Sequence, residues 1–226
     1  MIDCTIKQLL TLFGCLSKQC SFYTLKADLM PNTHSTTKKA ALLQAAKELF
    51  GECGYAETTF KKISERAGVA LGLLTHHYGN KEKLFLACGL DVLTSFQARL
   101  IDATQQAKSG FDAVMRFCEA YLAFSIDPDT NWLVLVRCSP YSDMKTSDDR
   151  AVMNEKFEEI HRILIDCLKL GIEDGTVART EPRTTAMVII SLMVGANRTR
   201  VLTPYESSKL YEETLAFVAR AIAPTA

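Results

Sequence analysis

The chain has 226 residues, of which 48% are hydrophobic and 23% charged, so it can bury the core of one large domain or of two smaller ones. Its net charge of zero excludes a uniformly basic nucleic-acid-binding protein, but the charge is uneven. Residues 36–83 carry eight Lys or Arg against five Glu, whereas residues 84–226 carry fifteen basic and nineteen acidic residues. The cationic segment 36–83 is therefore the one suited to face phosphates.

The cysteines are scattered, and no two of them form a C-x-x-C pair. This pattern predicts free thiols in a reducing cytoplasm rather than a disulfide framework or a zinc site, and no metal or cofactor is expected. A redox sensor at Cys53 or Cys88 stays open as an alternative. The eight cysteines stand at positions 4, 15, 20, 53, 88, 118, 138 and 167.

Residues 1–34 are predicted to be an N-terminal extension, loosely ordered or not native. The apolar run Ile6–Leu16 is too short to span a bilayer, and the residues before Cys15 only loosely resemble a lipoprotein cleavage site. A loosely attached helix and a true start at Met30 are the alternatives to a leader. The start at Met30 is favoured, because a polar stretch typical of an N-terminus follows it.

The next three predicted helices form a helix-turn-helix unit. The first begins at Ser35 or Thr36 and ends at Gly54, and the second is capped by Thr58 or Thr59 and ends at Gly68. A third, of about two turns, covers residues 71–77 before Gly79 and Asn80 interrupt it. Two short helices joined by a tight turn that contains Gly allow the second helix to enter a DNA major groove.

The remaining helices are predicted to form a second, larger body. No segment alternates as a strand does, so we predict an all-α protein of about nine helices. The helix-turn-helix domain is placed at residues 35–82 and the helical bundle at residues 83–226, with a polar loop at 139–149. The six helices of this body are expected at about 81–106, 111–126, 130–139, 150–172, from 182 through 195, and 205–223.

The sequence from Gly54 to Phe85, GYAETTFKKISERAGVALGLLTHHYGNKEKLF, resembles the N-terminal DNA-binding domain of the tetracycline-repressor (TetR) family of bacterial regulators. The pairs and triplets that carry the resemblance are Gly54-Tyr55, Thr58-Thr59, Ala67-Gly68-Val69 and His77-Tyr78 with Lys81. Two positions depart from the family pattern. Thr75 stands in place of a usual tyrosine, and Ala70 in place of a Ser or Thr that caps the recognition helix.

The resemblance implies a set of DNA-binding residues. Three groups are distinguished in the list below: residues near the DNA backbone, residues that face or flank bases, and residues close to phosphates. Lys38 is included because a lysine in the first turn of a helix is unfavourable for the helix dipole, a cost that a phosphate contact would explain. A solvated surface is an equal alternative for Lys38, and packing is the alternative for Tyr78. The residues are Lys38, Thr58, Thr59 and Lys61; Leu71, Leu73, Thr75 and His76; and His77, Tyr78 and Lys81.

The resemblance also implies a cytoplasmic, dimeric transcriptional regulator, a repressor released from a palindromic operator by a small-molecule effector. Dimerisation is expected through the eighth and ninth helices, since the eighth is apolar all round. The effector is expected among the fourth to eighth helices. Candidate ligand contacts, each of which is alternatively ordinary core or surface, are Phe117, Tyr121, Phe124, Trp132, Arg137, His161 and Asn197.

Two other classes of protein were weighed. An all-α enzyme is disfavoured, because the sequence has no H-E-x-x-H, no nucleophile elbow and no Gly-rich phosphate loop. His161 beside Glu158 and Glu159 is the nearest approach to a catalytic group. A cytoplasmic ligand-binding or redox-sensing protein with weak DNA affinity remains the alternative, because Thr75 and Ala70 depart from the family pattern.

Overall fold

The computed structural model describes residues 33–137, 147–205 and 208–224, and these residues form nine α-helices, one 3-10 helix and no strand. The all-α prediction is confirmed. All but the first described residue belong to one compact unit, His34–Ala226. Residues 1–32 of the predicted extension lie outside the described residues, and residues 33 and 34 belong to α1. The helices are α1 (Thr33–Glu57), α2 (Phe60–Ala67), α3 (Leu71–Tyr78), α4 (Lys81–Gln105), α5 (Gly110–Ile126), the 3-10 helix (Pro128–Thr130), α6 (Leu133–Arg137), α7 (Ser147–Glu173), α8 (Pro182–Leu202) and α9 (Leu210–Ile222).

Helix α1 is broken near its end, at the glycine where the sequence predicts a stop. Gly54 has φ 79° and ψ 175°, a conformation that a residue with a β-carbon rarely adopts. The hydroxyl of Thr58 donates to the carbonyls of Gly54 at 2.7 Å and Leu49 at 3.1 Å. These bonds fix the direction in which the chain leaves α1 and enters α2.

The N-terminal helices enclose a small hydrophobic cluster. Leu42, Ala46 and Phe50 follow one another at helical spacing on α1 and are completely buried, together with Ile63 of α2 and Leu74 of α3. The cluster continues beyond residue 82, because Leu84, Phe85 and Cys88 of α4 and Val134 of α6 also belong to it. The unit that carries α3 is therefore packed directly against the rest of the helices.

The larger cluster lies among α4, α5, α7, α8 and α9. Helix α4 is the one described helix long and apolar enough to cross a membrane by composition, with a mean hydropathy of 1.4 over 18 residues. The core helix of a folded domain can be as long and as apolar as this. Eight residues of α4 are buried against neighbouring helices, so its apolar composition agrees with a place in the core. Its predicted start is confirmed by the side chain of Asn80, which accepts from the amide of Lys83 at 2.9 Å.

Two predicted boundaries in the larger body are wrong. Helix α7 begins at Ser147, inside the predicted loop 139–149. Helix α9 begins at Leu210 rather than Tyr205, with two acidic residues, Glu212 and Glu213, in its first turn, where they favour the positive end of the helix dipole. Apolar spacing predicted both helices but not the residues at which they begin.

The start of α5 touches the end of α7 backbone to backbone. A β-carbon at Gly110 would overlap the backbone of Gly171. Asp174 reinforces the contact by accepting from the amide of Gly110 at 2.7 Å and from the hydroxyl of Thr176 at 2.6 Å. The hydrogen bonds from Thr176 and Gly110 lower the pKa of the Asp174 carboxyl below its usual range.

Gly110→Ala should destabilise the protein by about 3 kcal/mol, since neither backbone at this contact can move aside cheaply. Gly72→Ala is the matched control, because Gly72 also lies in a first helical turn but has no atom within 4 Å of the added carbon. The control should be neutral or gain up to about 1 kcal/mol from helix propensity. Urea unfolding followed by circular dichroism measures both, and equal stabilities would contradict the predicted contact.

Candidate nucleic-acid interface

Helices α2 and α3 are joined by a short turn centred on Gly68. Gly68 adopts the left-handed conformation with φ 64° and ψ 30°, as the sequence predicts. Its amide donates to the carbonyl of Glu65 at 3.3 Å, and the amide of Val69 donates to the carbonyl of Ser64 at 3.0 Å. These two bonds satisfy carbonyls at the end of α2 and fix where α3 begins.

The two threonines before α2 have different roles. Thr59 is exposed and caps α2, accepting from the amide of Lys62 at 3.3 Å. Thr58 is completely buried, and its hydroxyl is bound to carbonyls of α1. The placement of the Thr58 side chain at the DNA surface is therefore wrong, because this side chain closes the junction between α1 and α2.

One face of α3 is open to solvent. Leu71 is 48% exposed, Gly72, Thr75 and His76 are also exposed, and Leu73 is half-buried. The hydroxyl of Thr75 contacts the carbonyl of Leu71 at 3.4 Å, a long hydrogen bond within the helix. Of the four residues that sequence analysis expected to face or flank bases, Leu71, Thr75 and His76 are therefore exposed on α3, whereas Leu73 is half-buried.

The last residues of α3 pack against α1. The hydroxyl of Tyr78 donates to the carbonyl of Lys39 at 3.2 Å, and burial raises the pKa of Tyr78 to about 12. The Nε2 atom of His77 is buried and has no hydrogen-bond partner among the described residues. The phosphate contact expected of Tyr78 is corrected to a packing role, and His77 is partly withdrawn from the surface.

Of the three lysines predicted to contact DNA, two are exposed and one contacts other residues of the protein. The side chains of Lys38 and Lys61 are exposed, and the nearest carboxylate to Lys61 is that of Glu65 at 3.9 Å. Lys81 instead places its Nζ atom 4.3 Å from the ring centre of Tyr55 and donates to the carbonyl of Ala56 at 3.4 Å. Lys81 therefore holds the last turn of α1 against the start of α4.

Sequence analysis missed an ion-pair framework around α1. Arg66 of α2 pairs with Glu52 at 3.0 Å and with Glu48 at 3.3 Å, and Lys47 pairs with Asp91 of α4 at 2.7 Å. The hydrogen bond from Arg66 lowers the pKa of the Glu52 carboxyl. The spacing of Glu48 and Glu52 on one face of α1 is the signal that could have indicated a basic partner.

Four of the predicted ligand contacts pack together in a buried aromatic cluster around Phe96, and the other three lie apart from it. The ring of Phe96 lies 4.9 Å from both Tyr121 and Trp132 and 5.0 Å from Phe124, with Phe117 packed beside Tyr121. The oxygen Oδ1 of Asn197 accepts from the hydroxyl of Tyr211 at 2.6 Å. His161 is half-buried on α7, with Nδ1 2.8 Å from the carbonyl of Phe157, and the side chain of Arg137 lies outside the described residues.

A cavity of about 520 Å³ opens beside this cluster, between α1, the 3-10 helix with α6, and the end of α8. Trp132 is the one member of the predicted ligand set that lines it. The other wall residues were not predicted, because they come from elements far apart in the sequence. They include Lys47 and Gly51 of α1, Ile126 of α5, Leu133 of α6 and Arg200 of α8.

The described cysteines differ in burial and in the acidity of their thiols. Burial raises the pKa of Cys118 to about 12 and that of Cys167 to about 11, so both thiols are protonated and unreactive near neutral pH. Cys88 is also buried, and Cys53 is exposed. Within the described ranges no three His, Cys, Asp or Glu side chains are grouped to hold a metal ion.

A family model described as bacterial regulatory proteins, tetR family, matches residues 42–88. Residues 42–88 therefore carry a tetR-family domain. The matched segment runs from the buried Leu42 of α1 through α2 and α3 to Cys88 of α4, so it coincides with the small hydrophobic cluster and the open face of α3. The resemblance stated from the sequence is confirmed, and the family consists of transcriptional regulators rather than enzymes.

Curated relatives of this chain agree with that match. The HTH-type transcriptional repressor AcnR of Corynebacterium efficiens is 30% identical over 122 residues, which cover 50% of this chain and 58% of AcnR. This chain thus spans little more than half the length of that curated relative. Two solved structures share the fold. PfmR of Thermus thermophilus is 21% identical, and the match covers 80% of this chain and 96% of PfmR with a TM-score of 0.65. FadR of Bacillus subtilis, in complex with stearoyl-CoA, is 18% identical, and the match covers 81% of this chain and 99% of FadR with a TM-score of 0.70.

Ala70→Thr should stabilise the protein by about 1 kcal/mol, because Ala70 has the extended conformation of an N-cap residue but gives α3 no side-chain hydrogen bond. Ala70→Val is the matched control, since valine has the shape of threonine without its hydroxyl. Urea unfolding should place the threonine variant above the wild type and the valine variant at or below it. A gain of similar size in both variants would show that packing, and not capping, limits α3.

Proposed function

We propose that this protein is a cytoplasmic, ligand-responsive repressor that binds a palindromic operator as a dimer and is released by a small-molecule effector. Residues 35–82 would form the DNA-binding domain and residues 83–226 the ligand-binding and dimerisation domain. The observation that carries the proposal is the open face of α3, in which Leu71, Thr75 and His76 are exposed on a helix whose other face is buried.

The proposed DNA contacts follow from the chemistry of this face. With α3 in the major groove, Leu71 can meet the methyl group of thymine, and Thr75 and His76 can hydrogen-bond to base edges. Lys38, Thr59 and Lys61 are exposed on α1 and around α2, where they can contact the phosphate backbone. Helix α3 has no Arg, Asn or Gln for a bidentate contact, so recognition would depend strongly on DNA shape and on half-site spacing.

A regulator is favoured over the redox-sensing alternative by the tetR-family match at residues 42–88. The thiols of Cys118 and Cys167 are buried with raised pKa values and are unsuited to sensing, whereas the exposed Cys53 stays open as a candidate. A small-molecule effector is supported by FadR of Bacillus subtilis, a structural neighbour described in complex with stearoyl-CoA. An acyl thioester is therefore the first class of effector to test on this chain.

The proposed dimer interface is an exposed apolar stripe on α8 and α9. Met187 and Val188 are 54% and 55% exposed, Val194 is 40% exposed one to two turns later on the same helix, and Phe217 of α9 is 53% exposed. Gly195 has open space around it, so a second helix could approach closely. Burying this stripe against a second copy would form a four-helix interface and set two α3 helices at half-sites about 34 to 36 Å apart.

Lys61→Ala should weaken binding to DNA from upstream of the protein's own gene. It should also lower the slope of log K against log salt concentration by about 2, because the dimer loses one phosphate contact in each half-site. Lys169→Ala is the control, since Lys169 is likewise exposed and near a carboxylate, that of Asp166 at 3.4 Å, but lies on α7. Gel-shift titrations at several salt concentrations measure both slopes, and identical slopes would contradict the proposed DNA surface.

Val188→Asp should convert the dimer to a monomer and reduce operator affinity at least about tenfold, because an unpaired carboxylate would be buried in an apolar interface. Ile101→Asp serves as control, since Ile101 is a partly exposed apolar residue of α4, away from the stripe. Sedimentation velocity and gel shift measure the two effects. A dimeric Val188→Asp variant would place the interface elsewhere.

A further inference from the structure

The cavity between α1, α6 and α8 keeps an apolar wall open to solvent. Ile126 remains 51% exposed, and Pro128 and Leu133 line the same space beside Trp132. The volume of about 520 Å³ lies within the range of small-molecule sites. An accessible apolar wall in a concave site of this size is typical of a place where the body of a ligand packs.

Most charged side chains of the lining already have an ionic partner. Lys47 pairs with Asp91 of α4 at 2.7 Å. Glu48 and Glu52 share the guanidinium of Arg66, at 3.3 and 3.0 Å. Because two carboxylates share one guanidinium, the α1 wall keeps an excess of negative charge. The net charge of the cavity therefore does not favour an anion, and the class of ligand has to follow from the groups that have no ionic partner.

Two lining groups of opposite charge have no ionic partner in the described part of the chain. The guanidinium of Arg200 lies 4.7 Å from the ring centre of Tyr211, and no carboxylate lies within ion-pair distance of it. The carboxylate of Asp127 accepts from the amide of Asp129 at 3.0 Å, and no cation pairs with it. This N-cap contact uses only part of the acceptor capacity of a carboxylate, so Asp127 can accept further hydrogen bonds.

Tyr211 relates the positions of these two groups. Its ring packs on Arg200, and its hydroxyl lies 3.1 Å from Oγ of Ser125, two residues before Asp127. The same hydroxyl donates to Oδ1 of Asn197 at 2.6 Å, which ties the ring to α8. One positive group and one negative group are therefore held around a single tyrosine, on the wall of one cavity and beside its apolar surface.

We infer that this cavity binds an α-amino acid with an apolar side chain. The carboxylate of the ligand lies on Arg200, its ammonium on Asp127, and its side chain against Trp132 and Ile126. A guanidinium binds a carboxylate by paired hydrogen bonds, and a carboxylate accepts the N–H groups of an ammonium. A simple anion lies near the carboxylates of the lining, and a simple cation lies near Arg200. A zwitterion pairs each of its charges with a group of opposite sign.

The position of the cavity gives the ligand a route to α1. Gly51 of α1 packs so closely on α6 that a β-carbon there would lie 3.3 Å from Cβ of Leu133, and the cavity opens beside this contact. A ligand that fills the cavity lies against α1 and the α5–α6 corner at once, and it favours the spacing of these elements that it fits. Its effect on operator binding rests on the proposed function, whereas binding itself does not.

Trp132 is the only tryptophan of the chain and lines the cavity, so its fluorescence reports on the site. The full-length protein without DNA is titrated with L-phenylalanine and with two analogues that each lack one of its charged groups. Phenethylamine lacks the carboxylate, and hydrocinnamate lacks the ammonium. L-phenylalanine should give a saturable change, and each analogue should bind at least about tenfold more weakly.

Two variants test the two charged contacts separately. Arg200→Met, which keeps an apolar stem, should weaken the binding of L-phenylalanine about tenfold but should not weaken that of phenethylamine, which has no carboxylate to lose. Asp127→Asn keeps an oxygen that can cap the 3-10 helix. It should weaken the binding of L-phenylalanine about tenfold but should not weaken that of hydrocinnamate, which has no ammonium.

Each variant has a matched control. Arg183→Met removes another exposed arginine of α8, one that pairs with Glu158 at 3.3 Å. Asp129→Asn removes an exposed carboxylate of the same 3-10 helix that does not line the cavity. Both controls should bind L-phenylalanine as the wild type does, and circular dichroism verifies that all four variants are folded.

Three results would overturn the inference: no saturable change with L-phenylalanine, an analogue that binds as tightly as L-phenylalanine, or an equal loss in a variant and its control. Operator gel shifts are read separately. A protein that binds the amino acid but no DNA refutes the proposed function and leaves the site in place.

Discussion

The burial of Phe50 is the contact on which the rest of the structure depends. Its side chain is completely buried, stacks on Tyr55 with ring centres 5.9 Å apart and meets the edge of Phe85 of α4 at 5.1 Å. Removing a phenyl ring from such a site costs about 3 to 5 kcal/mol, a large part of the stability of a typical domain. Because residues of α1, α2, α3, α4 and α6 share this cluster, the orientation of the recognition helix is set by the same contacts that hold α4.

Several residues that carry the family resemblance serve the fold rather than the DNA. Thr58 ties α2 to the end of α1, Tyr78 ties α3 to its beginning, and Lys81 covers Tyr55. A residue can belong to a family pattern because the fold needs it. Removing one partner of a buried hydrogen bond lowers the stability of the protein, as removing a DNA contact lowers its affinity. In the proposed DNA complex, the exposed surface around Leu71, Thr75 and His76 is narrow, so recognition would depend on DNA shape more than on base identity.

The sequence predicted the fold well, because helical periodicity, caps and glycines act locally. Asn80 caps the start of α4 with its side chain, whereas Gly54 and Gly68 adopt the positive φ that breaks α1 and ends α2. The site was predicted in part. Exposure along α3 follows from helical spacing, whereas the buried hydroxyls and the partners of Arg66 and Lys47 depend on how helices distant in sequence come together. The cavity beside Trp132 could not be predicted for the same reason, since its walls belong to three segments that lie far apart in the sequence.

The hydrogen bond from Tyr78 to the carbonyl of Lys39 has a mechanical consequence for target choice. It links the beginning of α1, where Lys38 and Lys39 lie, to the last turn of α3. In the proposed DNA complex, this link would help to keep the two ends of the contact surface at a fixed separation. An operator with a wider or narrower groove would then have to bend or twist to fit, and the elastic cost of that distortion would lower its affinity relative to other sites.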